Sequence, residues 1–435
     1  MSVTISQEHP NLDGSLIAQE TKHLIKEQPS IKSYFALPKF LYAVQKFNLG
    51  TIVEWLVSSS TNEEPMEFRR VFWAFSPSIK GFVHCRPMIN IDGTHLYGKY
   101  KGTMMIAMGV DGNNQILPLA FAIKENKAYD SWNWFLSYIK IHVVKEREGI
   151  CLVSDRHLGI LKAVNQHGSP WYYLHHFNNN FYEKFRNSEL KGLAYRVRGQ
   201  NQIRKLNPQA RQWLESHPLD RWTLAHDGVG RYGFLTSNLL EIFNSVLKGA
   251  RFLPITANVE FTFYRLVHYF EVRRHLGNSS RANGDTYTPH VLVKQVALMS
   301  KASTHSLRSF NREKGIFELI NQIGRNVQVV NLEQKTCTYG KWKVFKYICY
   351  HVLSACATFS LNSWQYIDKC YSIIKYRDTW VSQFSPLPHE TYWPQSLFKE
   401  LLPNLELLQN KKGRSSSTRL LNGMDIKEGR KVNLL

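Results

Sequence analysis

The stretch MINIDGTHLYGKYKGTMMIAMGVDGNNQILPLAFAIKE spans residues 88–125 and contains three consecutive β-like runs. The first alternates apolar and polar residues and ends on Asp92, the second covers Thr103–Val110 and the third Gln115–Ile123. Asp-Gly-Asn-Asn separates the last two runs, and these residue types tolerate the positive φ of a tight hairpin. The stretch therefore predicts a three-stranded meander.

Two hydrophobic strands of this chain end in an acid. Asp92 closes the first run of the meander, and Asp155 closes ICLVSD at residues 150–155. A carboxylate at the end of a buried strand costs free energy unless a metal ion or a cationic partner compensates it. A helical pattern, RHLGILKAV, follows Asp155 directly, so the order of strands and helices predicts a mixed α/β fold with a central sheet.

A third acid, Glu241, lies on a predicted helix that starts near Ser237 or Asn238. Three acids on rigid elements suit hard cations such as Mg²⁺, which take oxygen ligands, and two such ions serve phosphoryl displacement. A structural alternative stays open, because Asp92 or Asp155 can cap the turn that follows it. Asn238 and Glu241 likewise have the spacing of an N-terminal capping arrangement.

The composition indicates a folded, basic protein that binds a polyanion. The chain has 435 residues, enough for about two or three domains, and 43% of them are hydrophobic. Lys and Arg number 55 against 34 Asp and Glu, which gives a formal charge of +21 and favours nucleic acid first and anionic membranes second. No apolar run reaches the ~20 residues of a membrane span, so we expect DNA and no membrane as partner.

The six cysteines predict free thiols in a reducing compartment. Without a secretory signal, so few cysteines in so long a chain do not form a disulfide framework. Cys85 and Cys151 stand singly in apolar surroundings and are expected to be buried. The other four, Cys337, Cys349, Cys356 and Cys370, cluster in the sequence.

Periodicity predicts the remaining elements more coarsely. In the N-terminal half we expect mainly helices over 15–80 leading into a strand from Phe68, a helix capped by Asp130 or Ser131, and basic helices over 177–222. Further along we expect a helix over 259–274 and a polar loop over 277–285. The last predicted segments are β-like over 317–350 and a packed aromatic core over 351–380.

Five motifs in order, IDGTHLYGKYKG, GVDGNNQILPLAFAI, SWNWFLSYIK, LVSDRHLGILKAV and TSNLLEIFNSVLKGARFLPI, resemble the transposases of plant Mutator-like elements, the MULE family. The resemblance covers residues 68–255, and more loosely 34–393. It implies a nuclear DNA transposase with a ribonuclease H-like α/β fold, in which a helical insertion precedes the third acid of a D-D-E triad. Carried onto this chain, the triad is Asp92, Asp155 and Glu241, and the resemblance implies that it holds two Mg²⁺ or Mn²⁺ ions. The implied partners are transposon ends and target DNA, and self-association is an open question.

The chain departs from the family pattern at two cysteines. A C-x-x-H pair opens the family's insertion, whereas here His176 is preceded by Tyr173 at the cysteine position. The family's SWIM-type zinc finger, C-x-C…C-x-H, matches Cys337, Cys349 and His351, but Tyr339 replaces the second cysteine. Structural zinc takes four ligands, so we expect an incomplete Zn²⁺ site, with Cys356 on the following helix as the reserve thiol.

The resulting division of the chain has five parts: a mainly helical region 1–80, the ribonuclease H-like core 81–275 with its insertion near 177–230, a helical linker 276–325, a degraded SWIM-like region 326–385, and a Pro-rich, basic and disordered tail 386–435. Two functions remain open. The intact acids favour a DNA-cleaving enzyme, whereas the lost cysteines favour a catalytically silent DNA-binding or regulatory descendant, or a decayed element product.

Overall fold

A computed structural model gives the fold. It describes residues 30–58, 66–124, 129–154, 158–167, 170–172, 174–194, 200–217, 232–233, 243, 245–321, 327–395 and 401–408.

The central sheet is mixed, with helices packed on it, so the predicted α/β class is confirmed. Its strands in the described chain are β1 (Ile52–Ser58), β2 (Met66–Ala74), β3 (Met88–Leu96), β4 (Gly102–Val110), β5 (Ile116–Lys124), β6 (Cys151–Ser154), β7 (Pro170–Tyr172) and β12 (Leu401–Leu402). They lie in the order β1-β2-β5-β4-β3-β6-β7, with β12 beside β2. The strands β3, β4 and β5 form the predicted antiparallel meander, and β6 and β7 extend it in parallel.

The hairpin between β4 and β5 follows the expected chemistry. Asn114 adopts a φ of 65°, the conformation that Asn tolerates. A Cβ atom at Gly112 would lie 2.2 Å from the carbonyl oxygen of Cys370, so the turn requires glycine where another backbone segment approaches it.

Helices cover both faces of the sheet. They are α1 (Ser30–Phe47), α2 (Ser76–Phe82), α3 (Tyr129–Tyr138, continued by a π-helical turn over Ile139–Val144), α4 (Leu158–His167), α9 (Ile255–Ala282) and α10 (Pro289–Ala302). The long helix α9 packs on one face, where Trp73 Nε1 of β2 donates a hydrogen bond to Thr262 Oγ1 at 3.1 Å. On the opposite face α3 approaches β3, because a Cβ at Gly93 would lie 3.1 Å from Cζ2 of Trp132.

A separate group of helices follows β7. It comprises α5 (Leu174–Phe185), α6 (Ser188–Ala194), α7 (Gln200–Leu206) and α8 (Pro208–Glu215). These helices bury a small hydrophobic cluster of their own, formed by Phe181, Leu190, Ile203, Ala210 and Leu214. The helical character expected for this part of the chain is therefore confirmed.

The C-terminal part contains a second, antiparallel sheet and three short helices. The elements are β8 (His305–Asn311), β9 (Ile316–Asn321), β10 (Val327–Asn331), β11 (Thr336–Cys337), α11 (Lys341–Phe345), α12 (Tyr350–Thr358) and α13 (Ile373–Trp380). On α13, Tyr376 and Trp380 are fully buried. Trp380 Nε1 donates to Asp111 Oδ2 at 2.9 Å, so this aromatic segment is core, as expected, and it fixes the hairpin of the central sheet.

Several local expectations are wrong. The strand β1 lies in a stretch expected to be mainly helical, because pairing along β2 uses its β-branched and aromatic residues. The helix α3 begins at Tyr129, so the proposed caps Asp130 and Ser131 lie inside it. Similarly, α9 continues to Ala282 into the expected loop, and β12 lies within the expected disordered tail.

The predictions for the cysteines are confirmed, except for one that is only partly buried. All six cysteines are free, and Cys85 and Cys151 are buried as expected. Burial raises the pKa of the Cys85 thiol above its usual range. Cys370 is only partly buried, since it lies in the turn that contacts the hairpin at Gly112.

Candidate active site and candidate metal centre

Asp92 occupies an interior position of β3, which continues to Leu96, so the prediction that the strand ends on this acid is wrong. Asp92 pairs with Ile106 of β4, and the residue before it, Ile91, is the last of β3 to pair with β6. Its neighbours Ile91 and Thr94 are buried, whereas Asp92 itself is partly exposed. The backbone N–H of Gly93 donates to Asp92 Oδ1 at 2.7 Å. The carboxylate thus reaches the surface from a strand that is held on both sides by paired neighbours, which is a rigid setting for a ligand.

Asp155 lies outside the described residues, but the residue before it does not. Ser154, the last residue of β6, is the parallel partner of Ile91. The residues that immediately precede Asp92 and Asp155 are therefore paired across neighbouring strands of one sheet.

Glu241 also lies outside the described residues, and the nearest described position is Phe243. Asp92 pairs with Ile106 on β4, and Ile106 pairs with Phe121 on β5. Directly paired residues project from the same face of a sheet, so Phe121 shares the face of Asp92. The ring of Phe243 lies 6.4 Å from that of Phe121. Phe243 consequently packs on the same face of the sheet as Asp92.

A basic and aromatic rim lies at the end of β3. Tyr97 and Phe252 are 52% and 65% exposed, and their rings stack with centroids 5.4 Å apart. The backbone N–H of Tyr97 donates to the carbonyl oxygen of Arg251 at 2.8 Å, which fixes the two segments together. Lys99 and Lys101 of the same β3–β4 loop are exposed. Exposed rings beside cations are typical of surfaces that contact nucleic acid.

The C-terminal part holds a second constellation. Cys337, Cys349 and His351 are buried, and their ligand atoms lie within 4.8 Å of one another. His351 Nδ1 lies 3.7 Å from Cys337 Sγ and 3.8 Å from Cys349 Sγ. Sulfur and nitrogen ligands of a tetrahedral zinc ion are separated by about 3.5 Å. The three predicted residues are thus brought together with spacings that suit such an ion.

The two thiols of this cluster are coupled. The hydrogen bond from Cys337 lowers the pKa of the Cys349 thiol, and the hydrogen bond with His351 acts in the same direction. The contact between the two thiols and burial raise the pKa of Cys337. The cluster therefore favours ionisation of Cys349 over that of Cys337, and the thiolate is the form of cysteine that binds metals.

Tyr339, which the sequence resemblance aligns with a cysteine, lies beside the cluster. The ring of Tyr339 lies 5.1 Å from the ring of His351. Cys356 is buried on α12, but its sulfur is not within the 4.8 Å group formed by the other three residues. His176 belongs to the helix α5, while Tyr173 and His157 lie outside the described residues.

Comparison with known families gives one match. Residues 88–178 match the family model of the MULE transposase domain. The matched span runs from β3 into α5, includes Asp92, Asp155 and His176, and ends before Glu241. It covers about a fifth of the chain and supports a MULE transposase family. A search of curated proteins gives no match to this chain. Among the described helices, none combines the length and the apolar character that a membrane span requires.

Sequence reasoning missed two residues near these sites. Phe252 was not distinguished from a core residue, because its exposure and its contact with Tyr97 depend on the turn before α9. His305 was also missed, although its ring lies 4.8 Å from that of His351. It lies 32 positions before Cys337 in sequence, so no motif connects it to the cluster.

Proposed function

We propose that this chain is a DNA transposase of the MULE type, with Asp92, Asp155 and Glu241 as its catalytic acids. The pairing of Ile91 with Ser154 carries the proposal. Each of these residues is followed by an acid one peptide unit away, a Cα separation of about 3.8 Å. On this proposal the two acids that follow this pair of residues hold the same metal ions.

The architecture supports a ribonuclease H-like core for this enzyme. Three antiparallel strands, β5, β4 and β3, are extended by the parallel strands β6 and β7. Helices α5 to α8 then intervene before Phe243, which packs on the Asp92 face. Phe243 follows Glu241 by two positions in the sequence, and its packing on this face supports the proposal that the third acid belongs to the site of the first.

The partly exposed carboxylate of Asp92 fits a hard divalent cation, and we propose that all three acids hold Mg²⁺ or Mn²⁺. Bound there, a pair of ions stabilises the attacking and the leaving oxygen of phosphoryl transfer. The chain itself positions the Asp92 carboxylate through the N–H of Gly93. Lys99 and Lys101 bind DNA phosphates, and the Tyr97–Phe252 pair contacts bases at the strand end.

The experiment measures nicking and binding side by side. A supercoiled plasmid is incubated with the full chain in Mg²⁺ or Mn²⁺, and a gel shift at two salt concentrations reports binding. We expect Asp92→Asn, Asp155→Asn and Glu241→Gln to abolish nicking and leave binding intact or slightly tighter, because each removes a negative charge near the phosphates. Asp130→Asn, at the exposed start of α3, is the matched control and should nick like the parent.

One observation favours a second candidate function, a catalytically silent DNA-binding protein derived from a transposase. Tyr339 occupies a position where the family has a zinc ligand, so the C-terminal module has changed. Salt-sensitive DNA binding by the parent without nicking in either metal would establish this second function. Nicking by Asp155→Asn at the parental rate would instead show that the triad is misassigned.

Localisation and the second cofactor follow from the same proposal. Free thiols throughout the chain and a DNA substrate fit the nucleus. We also propose that Cys337, Cys349 and His351 bind Zn²⁺, because all three are buried and their ligand atoms lie within 4.8 Å of one another. Self-association remains to be measured by the mass of the DNA complex.

A further inference from the structure

The cluster of Cys337, Cys349 and His351 offers three ligands, and a second histidine, His305, lies beside it. His305 is the first residue of β8. Its ring is perpendicular to that of His351 with centroids 4.8 Å apart, and it lies 5.0 Å from the ring of Tyr350. It therefore adjoins the cluster from a different sheet strand than the one that carries Cys337.

The hydrogen bonds of His305 determine which of its nitrogens is available. Nδ1 lies 3.0 Å from the carbonyl oxygen of Lys301. The Thr304 hydroxyl lies 3.1 Å from the same nitrogen, but it donates its proton to the Lys301 carbonyl oxygen at 2.9 Å. Both neighbours therefore accept from Nδ1, so Nδ1 carries the proton and Nε2 keeps its lone pair. Metal-binding histidines nearly always donate their second N–H in this way, which fixes the tautomer and the orientation of the ring.

The backbone of His305 is attached to the helix that carries His351. Ser354 Oγ donates to the His305 carbonyl oxygen at 3.2 Å. Ser354 follows His351 by three positions, so both project from one face of α12. Cys356 follows by five positions and does not share that face. The bond from Ser354 thus holds the start of β8 against the face of α12 that carries His351, whereas Cys356 lies on a different face.

We propose that His305 Nε2 is the fourth zinc ligand, which completes a Cys₂His₂ site with Cys337, Cys349 and His351. The inference rests on the proposal that the cluster binds zinc. His305 lies outside the 4.8 Å group of ligand atoms, so binding draws its ring inward. The site then reaches the four ligands that structural zinc requires without the cysteine that Tyr339 replaced.

The test uses the full chain, stripped of metal under reducing conditions, with Co²⁺ as the spectroscopic probe and Zn²⁺ affinity measured by competition with a chelator. We expect the parent to bind one Co²⁺ at this site, with absorption bands of a tetrahedral ion and charge-transfer intensity from two thiolates. Mutation of residues that hydrogen-bond to a metal ligand lowers metal affinity by about 10–100-fold. Loss of a ligand itself should lower it at least as much, so His305→Gln should weaken Zn²⁺ binding about tenfold or more. His275→Gln, an exposed histidine on α9, is the control and should bind like the parent.

A second pair of variants separates ligation from a structural role. Tyr339→Cys restores the motif cysteine, and it should add a third thiolate to the charge-transfer band. In the Tyr339→Cys background, His305→Gln should lower the Zn²⁺ affinity only slightly, because the cysteine at position 339 already supplies the fourth ligand. An equal cost in both backgrounds would show that His305 only supports the fold, and far-UV circular dichroism of the metal-free variants checks their folding.

Three further results would overturn the inference in distinguishable ways. Absence of Co²⁺ and Zn²⁺ binding by the parent would refute the zinc site itself. Parental affinity in His305→Gln would refute only the fourth ligand. Weakened binding in Tyr339→Phe, with His305→Gln unaffected, would assign the fourth position to the tyrosine hydroxyl.

Discussion

A buried carboxyl group on α9 makes stability depend on pH. Glu260 is only 7% exposed, and within the described residues its Oε2 has no hydrogen-bond partner. It lies four positions after Thr256, whose N–H donates to Ser33 Oγ of α1 at 3.0 Å. It also lies three positions before Phe263, whose ring packs on Phe40 of α1. Glu260 therefore projects into the interface between α9 and α1.

The environment favours the neutral acid. Burial raises the pKa of Glu260 from 4.5 to about 7, and the charge of Glu390 adds to the rise. Between these two pKa values the folded protein binds more protons than the unfolded chain, so the free energy of unfolding falls as the pH rises from about 4.5 to 7. The difference between the two pKa values corresponds to a loss of about 3 kcal/mol in the free energy of unfolding. This loss persists at pH values above 7.

Glu260→Gln removes the charge and nearly preserves the shape. We expect its thermal midpoint to exceed that of the parent at pH 8 by on the order of 5 °C and to match the parent at pH 5. Glu271→Gln is the control on the same helix, because Glu271 is exposed and pairs with Arg274 and His275. A midpoint difference between Glu260→Gln and the parent that is the same at pH 5 and pH 8 would refute the reasoning.

Three further predictions concern the fold and the DNA surface. Gly93→Ala should lower the free energy of unfolding by about 1–3 kcal/mol, because its Cβ would meet Trp132; Gly192→Ala, with open space around it, should not, and chemical denaturation compares them. Trp380→Phe should cost about 1–3 kcal/mol, since buried Asp111 loses the indole N–H; a denaturation curve identical to the parent's would contradict this. Lys99→Ala and Lys101→Ala should each reduce the salt dependence of DNA binding by about one phosphate contact. Gel shifts across salt concentrations measure the slope of log affinity against log salt, and unchanged slopes would show that these two lysines do not contact DNA.

The sequence predicted the three acids of the candidate active site with different amounts of structural detail. The strand-then-acid pattern predicted Asp92 at the end of a strand, whereas β3 continues past it to Leu96. Asp155 and Glu241 lie outside the described residues and stay predictions. What the structure adds is that Ser154, before Asp155, pairs with Ile91, before Asp92, and that Phe243 packs on the Asp92 face. No local pattern encodes which face of a sheet a distant helix covers.

The metal centre illustrates the same limit. C-x-H at Cys349 and His351 is a local spacing, and the family resemblance added Cys337, so the sequence predicted the three residues that the fold brings together. His305 became visible only when β8 and α12 packed together through Ser354. A ligand contributed by a separate strand has no fixed spacing from the motif.

The sequence by itself determined the meander, its hairpin and the basic charge, because alternation, turn residues and composition act over a few neighbouring positions. The tertiary structure alone decided that β1 is a strand, that Glu260 is buried, and that His305 adjoins the cluster of Cys337, Cys349 and His351. Each of these depends on contacts between segments far apart in the chain. Such contacts change the free energy of a residue's conformation or charge only after the chain has folded.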